Sequence, residues 1–159
     1  MGAVITVPND YTTIQEGINA AVDGDTVLVA AGTYSPSTNS EVFPIEMASG
    51  IHLIGSGEDV SIIDAQQTDR VITMEDCDNN IISDLTLTGG LAEGEYPDNI
   101  GGGMYLWESN PTLTHVTISN NTAEFGGGMN LYSSNPTLNN VTIANNTANG
   151  GGGMYLLSS

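Results

Sequence analysis

Hydrolysis of a polysaccharide needs two carboxyl groups, one held protonated and the other facing it across the scissile bond. In this 159-residue chain Asp64, Asp69 and Asp84 could supply such a pair, and Arg70, the sole basic side chain, lies among them. Two acidic groups suit a different task. Glu75, Asp76 and Asp78 form one, and Glu93, Glu95 and Asp98 the other. Hard carboxylate oxygens close together on a loop fit Ca2+; the alternative is a solvated acidic face. His52 and His115 have no Cys or His partner at metal-ligand spacing and are expected on the surface. The GGG runs lack the Lys and Ser/Thr that complete a phosphate loop.

The composition narrows the partners. Nineteen acidic residues against one basic residue give a net charge of −18. Nucleic acid is excluded, because neutralising phosphates needs clustered Lys and Arg. Anionic lipid is disfavoured, and no apolar run approaches the ~20 residues of a spanning helix. Cys77 stands alone, so no internal disulfide can form. Eighteen of the nineteen carboxylates precede residue 109, which leaves the last third nearly neutral.

These side chains must be positioned by a repeat. GGGM begins at Gly101, Gly126 and Gly151, 25 residues apart each time. SNPTL recurs at Ser109 and Ser134, and VTI followed by NNTA recurs from Val116 and Val141. Long identities at a fixed period are the signature of a solenoid. LTLTGG from Leu85 aligns with VTISNN after a step of 31, which is one coil plus an inserted loop around residues 91–99. Within each repeat, MYL, PTLTH and VTI alternate apolar with polar and are punctuated by Gly, Asn and Pro. Three short strands per repeat make one coil of a parallel β-helix, each coil stacked on the next at roughly 4.8 Å. About six coils fit.

Equivalent positions then form columns. Met104, Met129 and Met154 are expected inside, as are Leu106, Leu131 and Leu156, with Val116 over Val141 and Ile118 over Ile143. Asn120 and Asn145 are expected to stack as an amide ladder between coils, which would bury two of the three Asn-x-Thr sequons at Asn120, Asn140 and Asn145. Alternation places Tyr105, Asn130 and Tyr155 in one outward column and Trp107, Tyr132 and Leu157 in the next. Such an aromatic face can stack on sugar rings or anchor a protein, or its rings can simply pack on one another. Thr86, Thr117 and Thr142 form a third outward column that could order water.

The other end differs. Thr12 and Gln15 have the pattern of a capping box, with Ile14, Ile18, Ala21 and Val22 as one apolar stripe and Asp23-Gly24 as the stop. A strand at Val4 to Val7, this helix and a strand at Thr26 to Ala30 should cap the first coil and shield its edge. VPNDYTTIQEGINAAVDGDTVLVAAGTY followed by IHLIGSGEDVSIIDA resembles the amino-terminal region of bacterial secreted and surface β-helix proteins of the pectate-lyase-like superfamily. ISNNTAEFGGGMNL is similar to the repeat of chlamydial polymorphic outer membrane proteins, with Met after the glycines and Ile118 where phenylalanine is usual. The resemblance implies right-handed winding and an extracellular or cell-surface setting. It also implies that a lyase activity would need a basic residue beside a metal-bound uronate, for which only Arg70 is present.

The reading is therefore all-β: one right-handed parallel β-helix of about six coils, with a cap at residues 1–25, irregular coils at 26–100 and regular repeats at 101–159. Its expected role is a non-catalytic, structural or adhesive module of the cell exterior. The alternative is a polysaccharide-binding or polysaccharide-degrading protein. No basic or apolar leader opens the sequence, so any secretion signal is expected to have been removed; the sequence stops partway through a coil, so an excerpt of a longer protein is expected, or else self-association through the last coil into a dimer or filament.

Overall fold

In the computed structural model, which describes residues 2–159, the 25-residue period winds into a solenoid of parallel strands. Its elements are β1 (Val4–Val7), α1 (Ile14–Ala20), β2 (Thr26–Val29), β3 (Gly32–Tyr34), β4 (Ile45–Glu46), β5 (His52–Gly55), β6 (Ser61–Asp64) and β7 (Ile72–Glu75). They continue as β8 (Ile81–Thr88), β9 (Met104–Trp107), β10 (Thr112–Ser119), β11 (Met129–Tyr132), β12 (Thr137–Asn139), β13 (Thr142–Ala144) and β14 (Met154–Leu157). One sheet runs β1-β2-β5-β8-β10-β12, with β13 also paired to β10 and β6 bridging β3 and β8. The second runs β4-β7-β9-β11-β14. Every pairing is parallel, and Leu85 lies beside Val116, so the 31-residue step is the true register.

Alternation sets the core. Met104 and Leu106 on β9 and Met129 and Leu131 on β11 point inward and are buried, in register with Met154 and Leu156 on β14. Val116 and Ile118 fill the same core from β10. On the last described coil Leu156 is 54% exposed and Leu138 37%, although both continue inward columns.

The corners are made by left-handed residues. Asp84, His115 and Asn140 (φ 57°, 51°, 51°) form one corner column, and Gly89, Asn120 and Asn145 (φ 67°, 57°, 56°) another. Asn, Asp and Gly tolerate this region best. The second column corrects the sequence reading. Asn120 and Asn145 turn the chain and face solvent, sequons included; the ladder belongs to their neighbours, Asn121 and Asn146. Asn121 Nδ2 donates to Asn146 Oδ1 at 3.1 Å and to the Leu87 carbonyl at 3.2 Å, its Oδ1 accepts from the Gly90 N–H at 2.8 Å, and Asn146 Nδ2 donates to the Ile118 carbonyl at 2.9 Å. A left-handed residue swings the next side chain inward, and period alone does not reveal that one-residue shift.

The first serine of each SNPTL segment belongs to a buried hydroxyl ladder. Ser109 Oγ accepts from the Cys77 N–H at 3.0 Å, Ser134 Oγ from the Ser109 N–H at 3.0 Å, and Ser159 Oγ from the Ser134 N–H at 3.3 Å. Ser109 and Ser134 donate in turn to the carbonyls of Trp107 and Tyr132, and the Cys77 thiol makes the same contact with the Glu75 carbonyl. Cys77 is thus a rung in a serine ladder. Ser109→Ala should strand the buried Cys77 N–H and cost ~1 to 3 kcal/mol in urea unfolding, whereas Cys77→Ser should leave the midpoint close to the parent. Equal losses at both would refute the ladder.

The cap is shifted by one residue from expectation. Thr13 is the N-cap: its hydroxyl accepts from the Glu16 N–H and Glu16 Oε2 accepts from the Thr13 N–H, both at 3.1 Å. Ile14, Gly17 and Ile18 then face the first coil, and Val22 lies beyond the helix, exposed. The buried Glu41 carboxylate accepts from the N–H groups of Ile14 and Gln15 at 2.8 and 3.1 Å, tying the loop after β3 to the helix start.

Candidate functional site

The outer face of the second sheet carries two rows. Pairing aligns Glu46, Thr73, Tyr105, Asn130 and Tyr155 in one, and Glu75, Trp107, Tyr132 and Leu157 in the other. Beside them, the segment before β7 brings in Asp69 and Arg70, and the loop at residues 91–99 brings in Pro97 and Asp98. Together Glu46, Asp69, Arg70, Glu75, Asp98 and Tyr105 line a cleft of about 190 Å³ floored by Thr73. A recess of about 170 Å³ between Glu46 and Glu75 adjoins it.

Arg70 organises the cleft. Its Nη2 donates to the Pro97 carbonyl at 2.6 Å, and its guanidinium carbon lies 4.9 Å from the centre of the Tyr105 ring. A guanidinium over an aromatic face is a favourable cation–π arrangement. Burial lowers the Arg70 pKa, opposed by the charges of Asp69 and Asp98. Burial also pushes the Tyr105 phenol up to about 12, so it stays protonated. Among the described residues no carboxylate reaches ion-pair distance of Arg70; the one contact of this kind joins the His115 ring to the Asp84 carboxylate. Four carboxylates against one guanidinium leave the cleft negative.

The aromatic face is only partly open. Tyr105 points outward as expected but is 2% exposed, because Arg70 and the inserted loop cover it. Asn130 is buried as well, with neither amide atom hydrogen-bonded. Trp107 and Tyr132 are half-buried and stack on each other, ring centres 4.1 Å apart and planes within 4°. One indole face is therefore taken by Tyr132, and the other looks toward the strand carrying Glu75. Tyr155 tilts against Phe125 at 5.1 Å, and Leu157 ends its row half-buried.

Several expected groupings do not assemble. Asp69 and Arg70 share the cleft, but Asp64 ends β6 in the other sheet, where its Oδ1 accepts from the Gln66 N–H at 2.9 Å. Asp84 sits at a corner of β8, accepting from Ser83 Oγ at 2.8 Å and lying 3.4 Å from His115 Nδ1. The acidic triples are split as well. Glu75 and Asp98 face the cleft, Asp76 turns the chain with φ 51°, Asp78 contacts Asn110, and Glu93 borders a separate depression with Asn99 and Glu124. Glu95 supplies its carbonyl to the Asp98 N–H within the loop. Among the described residues no three His, Cys, Asp or Glu side chains converge as metal ligands. Both histidines instead bond non-ligand groups: His52 Nδ1 accepts from the Ile81 N–H at 3.2 Å, and the exposed His115 has Nε2 3.2 Å from Asn140 Nδ2. The threonine column is not a free water template, since Thr86 and Thr117 give their hydroxyls to Glu58. The residue that sequence reasoning missed is Glu46. Its signal was its place in the row, 27 residues before Thr73, which precedes Tyr105 by 32.

A family model described as "right handed beta helix region" matches residues 38–159. The chain belongs to this right-handed β-helix family. Among solved structures it is similar to pectin methylesterase PemA from Erwinia chrysanthemi, at 13% identity and a TM-score of 0.47, over 86% of this chain and 49% of that one. It spans about half the length of that enzyme. No curated protein matches. As a right-handed β-helix protein, the chain presents its cleft on the outside of one parallel sheet. No helix is long and apolar enough to cross a membrane.

Proposed function

We propose that the chain is a non-catalytic module of the cell exterior that holds a neutral or amino-bearing polysaccharide along the outer face of the second sheet. One observation carries this reading: an open cleft lined by Glu46 and Glu75 and backed by the buried Arg70, on the same outer face as the half-buried Trp107–Tyr132 stack, with Trp107 paired beside Glu75. Carboxylates accept hydrogen bonds from sugar hydroxyls or amines, and an aromatic face packs on the apolar side of a pyranose ring. A polyuronate would meet net negative charge there.

Titration calorimetry against neutral glucans, chitosan oligomers and polygalacturonate tests it. Binding is expected to one of the first two and not to the third, with affinity lost in Trp107→Ala and Glu75→Gln. Tight polygalacturonate binding, or release of reducing ends or unsaturated uronates abolished by Asp69→Asn, would overturn it in favour of a processing enzyme.

A further inference from the structure

Like charges on one face repel unless a cation or solvent separates them. Glu46 lies on β4 beside Thr73 on β7, and Glu75 follows on β7 with its side chain on the same outer face. Strand spacing and rise put the two glutamates roughly 8 Å apart at Cα, close enough for one group to touch both carboxylates. Among the described residues neither carboxylate makes a hydrogen bond or an ion pair, and both side chains are exposed. Their backbones are nevertheless held: Gln15 bonds the N–H and the carbonyl of Glu46 at 2.7 and 3.1 Å, and β7 runs between β4 and β9. Asp69 and Asp98 bring two more carboxylates to the same cleft, against the single guanidinium of Arg70. Arg70 is 5% exposed, yet of its side-chain nitrogens only Nη2 has a hydrogen-bond partner among the described residues, the Pro97 carbonyl. The buried cation thus keeps donors for an oxygen from outside, and the glutamates keep acceptors for a cation.

The cleft and the adjoining recess share Glu46, Thr73 and Glu75, so a polymeric ligand can lay consecutive units in both. We infer that the site selects a polymer of free amino sugars over a neutral glucan: the ammonium of one unit sits between Glu46 and Glu75, and a hydroxyl oxygen accepts from Arg70. This rests on the polysaccharide reading above and names its substrate class. A neutral sugar strips water from the carboxylates and returns only hydroxyl hydrogen bonds, whereas an ammonium brings three donors and cancels charge as well. Asp69 and Asp98 remain for the amine of a neighbouring unit.

Titration calorimetry on the full chain tests it with chitosan oligomers, chitin oligomers and cello-oligosaccharides of equal length, and with spermidine as an amine lacking a sugar ring. Chitosan should bind at least roughly tenfold tighter than either neutral oligomer, and its affinity should fall as salt is raised. Glu46→Gln and Glu75→Gln should each narrow that preference by about tenfold. Asp59→Asn, which removes an exposed charge in the loop between β5 and β6, outside the cleft, should leave it unchanged. Equal affinities for the three oligomers would refute the amino-sugar inference and leave the polysaccharide reading standing, and so would a loss in Asp59→Asn as large as that in Glu46→Gln. Spermidine bound as tightly as chitosan would refute it too, because the cleft would then read the amine without the sugar. Failure of every oligomer to bind would overturn the polysaccharide reading and this inference together.

Discussion

Leu106→Ala should lower the unfolding free energy by ~2 to 5 kcal/mol, whereas Leu156→Ala, in the same column, should cost under about 1 kcal/mol. Leu106 is completely buried between β7 and β11, so truncation leaves a cavity that stacked coils cannot close. Leu156 is 54% exposed and loses little. Leu131, nearly as buried as Leu106, should behave like it. Outward and at the edge, Leu157 should behave like Leu156 despite facing the other way. Urea unfolding of the four alanine variants checks this order; a Leu156 loss as large as that at Leu106 would mean that the last coil is covered in solution.

The glycine columns set the second large effect. Adding a methyl group at Gly103 would put Cβ 2.5 Å from the Gly128 carbonyl oxygen and 2.6 Å from Ile118 Cγ2. At Gly128 the same atom would meet the Gly153 carbonyl oxygen at 2.5 Å. Backbone of the next coil is the obstacle, and it cannot move without breaking the ladder between coils. At Gly153 the nearest atom is Ile143 Cγ2 at 3.6 Å, an ordinary contact. Gly103→Ala and Gly128→Ala should therefore each cost ~1 to 3 kcal/mol or more, while Gly153→Ala should leave the melting temperature nearly unchanged. Calorimetry on the three variants separates close approach between coils from the general entropic effect of replacing glycine, which would act alike at all three sites.

The amino-terminal cap shows how local signals can be right in kind and displaced by one residue. Thr12 and Gln15 fit a capping box as well as Thr13 and Glu16 do, because both pairs have the required types three apart. The choice is made by the core: starting the helix at Ile14 brings Ile14, Gly17 and Ile18 onto the first coil, with Gly17 fitting between Val7 and Val27. Gln15 is thereby released from capping, and its side-chain amide bonds both the N–H and the carbonyl of Glu46.

By itself the sequence determined the solenoid, its period and the inward columns of the regular repeats. Identical segments at equal spacing must stack in register, and strand alternation then assigns each side chain to one face. Tertiary structure alone decided what the irregular coils bring together. Their steps of 27 and 32 residues between Glu46, Thr73 and Tyr105 depend on loop lengths that carry no repeated pattern. Arg70 covers Tyr105 because Pro97, in the inserted loop, is the acceptor that holds the guanidinium there. The ladder passed from Asn120 to Asn121 because one left-handed corner rotates every side chain after it. Period and alternation repeat along the chain and can be read from it; loop length and corner geometry act once, through contacts that exist only when the coils are stacked.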